Sequence, residues 1–269
     1  MPTLPVLQEH LAGLGRVVLG YSGGVDSALL AVAGRAALGP ERMLAVIGRS
    51  ASYPIAQWQT AVDLARQFDV PLLELDTREL DDPRYVANAP NRCYFCKAEL
   101  WNRLGAIAAG RGFDVVIDGT NADDLGEHRP GLSAALEWGV RSPLAELGWS
   151  KADVRAAARA LGLPIWDAPA APCLSSRIRY GLAVTPARLA QVEAAESHLR
   201  ELGIDGDLRV RHHGATARIE VATEHHPRLR DGWEAVRAFF LSLGFDDVEL
   251  DPRGYRRGSL LAIAAESGR

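Results

Sequence analysis

Residues 20–27 read GYSGGVDS, directly after the apolar run RVVL at 16–19. Two adjacent glycines, Gly23 and Gly24, lie between Ser22 and Ser27, with one carboxylate, Asp26, and no lysine. A Gly-rich turn leading from a strand into a helix lines up successive backbone N–H groups as an anion nest, and the helix N-terminus behind it adds positive potential. The glycines let an oxyanion approach the main chain, and the two serine hydroxyls can donate as well. A Walker-type loop would place a lysine beside the outer phosphates, and a dinucleotide fold would show GxGxxG. Neither occurs in this stretch. The plainer reading is a tight turn, where Ser and Gly are common for conformational reasons. The flanking sequence decides between them.

Before the turn, 16–21 (RVVLGY) has the short Val- and Leu-rich pattern of a buried strand. After it the spacing predicts a helix over 27–38 and a strand over 43–48. A helix over 55–68 follows, with Ile55, Trp58, Val62 and Ala65 on one stripe, then a strand LLEL after Pro71. A helix over 97–109, a strand over 113–118 and a helix over 150–161 continue the alternation. The last opens on Ser150 as N-cap, with Asp153 in the capping-box position. Such alternation specifies an α/β, Rossmann-like parallel sheet covered on both faces, whose ligands bind at strand-to-helix turns. Placed there, 20–27 reads as a phosphate holder.

Periodicity stops in IWDAPAAPCLSSRIRYG (165–181), a Pro-rich loop. Beyond it come a helix over 186–202 with Leu189, Val192, Leu199 and Leu202 on its buried stripe, and strands over 207–212 and 216–221. A helix over 228–243 and a strand over 247–250 complete a smaller α+β domain. The expected division is a nucleotide domain over 1–165, a loop over 166–183 carrying Cys173, and a C-terminal domain over 184–269 for substrate or oligomer contacts.

A chain of 269 residues, nearly half of them hydrophobic, has room for two such cores. Its formal charge of −4 provides no general basic field to gather nucleic acid. All but two of its 30 basic residues are arginine, the exceptions being Lys97 and Lys151, so planar donor forks for phosphate or carboxylate are plentiful. No run reaches the roughly 20 apolar residues of a bilayer span, and MPTLPVLQEHLAGLG lacks the pattern of a signal peptide. Three cysteines cannot all pair within one chain, so a reducing cytoplasm is the expected address.

In this setting SGGVDS resembles the signature of the PP-loop ATP pyrophosphatases, with Ser22, Gly23, Gly24, Asp26 and Ser27 matching residue by residue. The resemblance implies a loop that holds the pyrophosphate of ATP while the α-phosphorus is attacked, leaving AMP on the substrate. NRCYFCK (91–97), DGTNADD (118–124) and APCLSSRIRYG (171–181), with RPG (129–131), SPLAEL (142–147) and ARIE (217–220), extend the likeness along most of the chain to the LarE family. LarE proteins are ATP-dependent sulfur transferases that make the organic part of a nickel-pincer cofactor. The resemblance implies ATP and Mg²⁺, a pyridinium mononucleotide substrate bearing two carboxylates, a sulfide source and a homo-oligomer, with no membrane or nucleic-acid partner. It also implies that Gly119, Thr120 and Asn121 join the phosphate loop at ATP; by spacing alone DGTN is equally an Asp/Gly/Asn turn.

Cys173 is flanked by Arg177 and Arg179, cationic neighbours for a group that attacks as thiolate. A lone cysteine is otherwise an inert packed thiol. In the family the cysteine of the matching PCLSSR segment supplies the sulfur. Cys93 and Cys96 form a CxxC ahead of the helix expected from 97, readable as a redox pair, half of a zinc site or two packed thiols. Zinc would need Cys173 and a histidine besides. The resemblance adds a further reading, in which Cys93, Cys96 and Cys173 hold three irons of a 4Fe–4S cluster and the fourth iron carries sulfide.

In LRVRHHG (208–214), Arg209 and Arg211 share a strand face. They can clamp a phosphate or carboxylate, or pair with a neighbour such as Glu220. The resemblance favours substrate contact by Arg209 and Arg211. Arg177 is a further candidate for substrate or phosphate; Glu193 and Glu196 read as solvated, with Glu196 the better candidate for a site role. His212, His213, His225 and His226 show no ligand spacing and read as structural.

The implied chemistry is carboxylate activation, because a mixed anhydride with AMP carries a good leaving group that sulfur can displace. Mg²⁺ would neutralise the polyphosphate; Asp26 is its candidate ligand, or the carboxylate that orients the loop, or the cap of the next helix. Sulfur comes from the Cys173 thiolate, which gives up its own Cβ–S bond, or from sulfide on a cluster iron. Two rival functions are tRNA thiolation, against which the negative net charge argues, and non-catalytic adenine-nucleotide binding, which leaves the cysteines unexplained.

Overall fold

Successive residues of a strand face opposite sides of its sheet, and β1 (Val17–Gly20) is apolar toward both. In this computed structural model, which describes residues 2–126, 130–169 and 171–256, Val17 and Leu19 pack into one core while Val18 packs into another. The same split divides β2 (Met43–Arg49), whose Ala45 and Ile47 go one way and whose Leu44 and Val46 go the other. A strand of this kind needs cover on both sides, as a parallel sheet with crossover helices supplies. The sheet is parallel throughout, in the order β3-β2-β1-β4, with β3 at Leu72–Asp76 and β4 at Val115–Ile117.

The first core takes in α1 (Leu4–Ala12), α2 (Val25–Leu38), α3 (Ile55–Gln67) and α8 (Lys151–Ala160). The second lies against α5 (Arg92–Arg111) and α6 (Pro130–Glu137), through Trp101, Leu104, Ala134 and Ala135. Two four-residue helices, α4 (Pro83–Val86) and α7 (Pro143–Glu146), complete the N-terminal run. The Ser150–Asp153 capping box is present in full.

The chain divides into two units. The first comprises Met1–Glu79 and Asn91–Ala171, and the second Leu80–Pro90 and Pro172–Arg269. In the second, α9 (Pro186–Glu201) precedes β5 (Leu208–His212) and β6 (Thr216–Val221), then α10 (His226–Asp231), α11 (Trp233–Ser242) and β7 (Asp247–Leu250). β5 and β6 are antiparallel, β6 and β7 parallel. Leu208, Val210, Ala217, Ile219 and Val221 face a core closed by Leu199, Phe240 and Phe245.

Several sequence expectations shift. The stripe of α3 is Ala61, Leu64 and Ala65, while Ile55 is 66% exposed. In α9 the buried positions are Leu189, Val192, Ala195 and Leu199, with Leu202 at the exposed end. α5 begins at Arg92, so the CxxC lies inside its first two turns instead of ahead of it. One helix over 228–243 becomes two, broken at Gly232. The second unit also claims Leu80–Pro90, far upstream of the expected boundary. Arg129 of the RPG motif and residues 257–269 of the expected C-terminal domain lie outside the described residues.

Candidate functional site

The phosphate turn joins β1 to α2. Gly24 is the N-cap of α2, and Gly23 adopts φ 66°, the left-handed conformation that glycine enters without a Cβ penalty. Ser27 Oγ donates to the Gly24 carbonyl at 3.0 Å and accepts from the Ser22 N–H at 3.2 Å, closing the turn on itself. The first N–H groups of α2 have no carbonyl partner within the helix, which leaves them available to an anion. From α3 and the turn before it, Tyr53 Oη and Gln57 Nε2 donate to the Ser22 carbonyl at 2.8 and 3.0 Å. Burial, and next the neighbouring Tyr21, push the Tyr53 hydroxyl above its usual pKa.

The DGTN turn stands against the same helix end. A Cβ on Gly119 would lie 2.9 Å from the Ser27 nitrogen, so only glycine lets the two turns meet this closely. Asn121, almost fully buried, donates from Nδ2 to Asp26 Oδ1 at 3.1 Å. Asp118 accepts from the Thr120 N–H and hydroxyl and from Ser142 Oγ, tying DGTN to the SPLAEL segment. Thus Ser22, Gly23, Gly24, Asp26, Ser27, Gly119, Thr120 and Asn121 come together as one constellation. A lysine completes it. Lys151 Nζ lies 2.5 Å from Asp26 Oδ2, with its own N–H donating to Asp123 at 2.8 Å. Sequence reasoning passed over Lys151, Tyr53 and Gln57. The one available signal was the rarity of lysine in an arginine-rich chain.

In the second unit, Cys173 is half-buried and caps the short 3₁₀ turn Leu174–Arg177. Arg177 lies almost wholly out of solvent. Its Nη1 donates to the Pro172 carbonyl, to the Cys173 carbonyl at 3.0 Å and to Ser176 Oγ at 3.1 Å. The same guanidinium forks onto Glu196 at 2.9 and 3.1 Å, and Glu196 also accepts the Val210 N–H at 3.0 Å. Arg211 donates to Glu220 at 2.8 Å and to the Ser176 carbonyl at 3.0 Å. Arg209 lies 5.3 Å from the centre of the Tyr255 ring. Burial, then the like charge of Arg177, lowers the pKa of Arg209. Arg177, Glu196, Arg209 and Arg211 therefore gather behind Cys173, and the pairing of Arg211 with Glu220 holds as the alternative sequence reading had it. Both strand arginines are buried. Three guanidiniums against two carboxylates leave this region suited to an anionic ligand.

The CxxC opens α5, with Cys93 exposed and Cys96 half-buried. Cys93 and Cys96 belong to the first unit and Cys173 to the second. Three thiolates are the right donors for a 4Fe–4S cluster, yet among the described residues no group of three His, Cys, Asp or Glu side chains is arranged to hold a metal ion. Asp26 offers carboxylate oxygens of the kind a hard cation takes, with Oδ1 accepting from Asn121 and Oδ2 paired with Lys151. Among the described residues no helix is long and apolar enough to cross a membrane.

Residues 6–104 match the family model described as NAD synthase. Over 259 residues the chain is 37% identical to the pyridinium-3,5-bisthiocarboxylic acid mononucleotide synthase of Lactiplantibacillus plantarum, covering 94% of this chain and 92% of that protein. It is 42% identical over 257 residues to an uncharacterised protein of Synechocystis sp., covering 94% of this chain and 95% of that one. An uncharacterised protein of Methanocaldococcus jannaschii is 30% identical over 243 residues, with 90% and 91% covered.

Proposed function

This chain belongs to the LarE family of PP-loop enzymes, and we propose that it converts carboxylates of a pyridinium biscarboxylate mononucleotide into thiocarboxylates. It is an ATP-dependent sulfur transferase. The observation that carries this reading is the lysine-backed Gly-rich turn at the start of α2, closed by Ser27 and packed on DGTN. Such a turn holds a leaving diphosphate and needs no γ-phosphate machinery.

The chain's residues then have separate tasks. The N–H groups of 23–27 and the two serines take the pyrophosphate portion of ATP, and Lys151 offsets its charge beside Asp26. Mg²⁺ bound with ATP would sit at Asp26 and neutralise the phosphates. A substrate carboxylate attacks the α-phosphorus, pyrophosphate leaves, and an acyl-adenylate remains. Arg209 and Arg211 hold the anionic substrate, with Arg177 and Glu196 fixing the Cys173 turn. The Cys173 thiolate attacks the acyl carbon and AMP departs, giving a thioester. Loss of the Cys173 Cα proton to a base, with cleavage of the Cβ–S bond, releases the thiocarboxylate and leaves dehydroalanine. Sulfide from a cluster on Cys93, Cys96 and Cys173 is the alternative source. As in the family, the working form in this proposal is a cytoplasmic homo-oligomer.

ATP–pyrophosphate exchange with the biscarboxylate nucleotide tests the first half. Exchange is expected in the wild-type chain and in Cys173→Ala, with thiocarboxylate formed by the wild type alone. The spent wild-type chain should weigh less by one H₂S. Lack of exchange would sink the adenylation reading. Repeated turnover by an iron- and sulfide-containing protein would replace the cysteine donor with the cluster.

A further inference from the structure

The Ser22 carbonyl is held from outside its own turn. Tyr53 Oη and Gln57 Nε2 both donate to it, at 2.8 and 3.0 Å, and both come from one segment, the entry to α3 and its first turn. The Ser22–Gly23 peptide is trans, so its carbonyl and its N–H point in opposite directions. Fixing the oxygen toward α3 aims the Gly23 N–H away from α3. The α3 side itself is closed: a Cβ on Gly23 would lie 2.5 Å from the Cβ of Ala61, one turn beyond Gln57. Two donors on one carbonyl also polarise the peptide and strengthen the opposite N–H, by roughly 10–30% per bond.

We propose that Tyr53 and Gln57 are positioning residues, aiming the Gly23 N–H at bound pyrophosphate through the Ser22 peptide. The proposal rests on reading 20–27 as the pyrophosphate holder. Neither side chain touches the ligand; each acts through the peptide plane. The two donors act together, so losing either one loosens the carbonyl and losing both frees it. The Tyr53 hydroxyl keeps its proton well above neutral pH, because burial and Tyr21 raise it, so this donor does not fade in mildly alkaline solution.

Calorimetric titration of inorganic pyrophosphate into wild type, Tyr53→Phe, Gln57→Leu and the double variant tests this. Each single variant is expected to bind about two- to fivefold more weakly and the double variant at least about tenfold, as one and then two hydrogen bonds are lost. In ATP–pyrophosphate exchange the KM for pyrophosphate should rise by the same factor while kcat stays within about twofold. Thermal midpoints should fall by only a few degrees, as one or two lost hydrogen bonds require, whereas a generally loosened fold would lose far more. Unchanged affinity in the double variant overturns the proposal; if that variant does not fold, two single variants that both bind like wild type overturn it. Failure of the wild-type chain to bind pyrophosphate at all overturns instead the reading of the turn on which the proposal rests.

Discussion

Lys151 and Asp26 stand 125 positions apart in the chain and meet at 2.5 Å. The lysine takes the place that a P-loop motif would give to a neighbour of the glycines, and a long-range contact of this kind leaves no local pattern. Replacing it with alanine leaves Asp26 still accepting from Asn121 Nδ2. The expected loss of folding stability is under about 1 kcal/mol, since both side chains are partly in water. Pyrophosphate affinity should fall by about tenfold, as expected for a lost charge-assisted contact, and return in Lys151→Arg. Denaturant midpoints and calorimetry check the two parts separately. By contrast, Ser22 to Ser27 could be read directly, because an anion nest is built from consecutive residues. Tyr53 and Gln57 could not, since their role depends on where α3 packs.

At the scale of elements, the strands and the longer helices were legible from periodicity, whereas α1, α4, α6 and α7 were not foreseen. The exceptions have physical causes. α5 starts at Arg92 without a side-chain cap and without an acidic residue in its first turn, so no start signal marks the CxxC as helical. Gly232 interrupts a pattern that otherwise reads as one helix. The segment around α4 shows no periodicity, yet it fastens the loop that follows Cys173. Asn88 is fully buried at φ 55° and donates to the carbonyls of Ile178, Arg179 and Leu182 at 3.2, 2.9 and 2.9 Å. Tyr85 Oη and Ser175 Oγ are 2.5 Å apart, and the Val86 carbonyl accepts the Val184 N–H at 2.9 Å. Asn88→Ala orphans buried carbonyls and should cost about 2–4 kcal/mol. In a Cys93→Ser, Cys96→Ser background, the same change should speed modification of Cys173 by a thiol reagent. An unchanged rate would mean that the loop is held by other contacts.

Among the described residues, the hydrophobic cores of the two units share no residue. Calorimetry should therefore resolve two transitions. The one belonging to the second unit should depend on pH through His212 and His213, whose pKa values drop from 6.5 to about 4. Burial is the main cause for both, followed by Arg188 for His212 and by Arg218 for His213. The unfolded chain binds these protons first, so stability is complete above about pH 6.5 and declines as pH falls toward 4, by roughly 1–3 kcal/mol per histidine. His212→Gln should flatten that decline, and an equally steep one would exclude the histidine. The excursion of Leu80–Pro90 was hidden from the sequence, because allegiance to a distant core is not a local property.

That excursion makes the chain change allegiance three times, after Glu79, after Pro90 and after Ala171. No single scission can then yield two whole halves. A protease that nicks the Pro-rich stretch leaves Tyr85 and Asn88 on the upstream fragment, still bonded to a loop carried by the downstream one. The severed pieces remain tethered, and a chimera spliced at that point would inherit a foreign clasp around its cysteine.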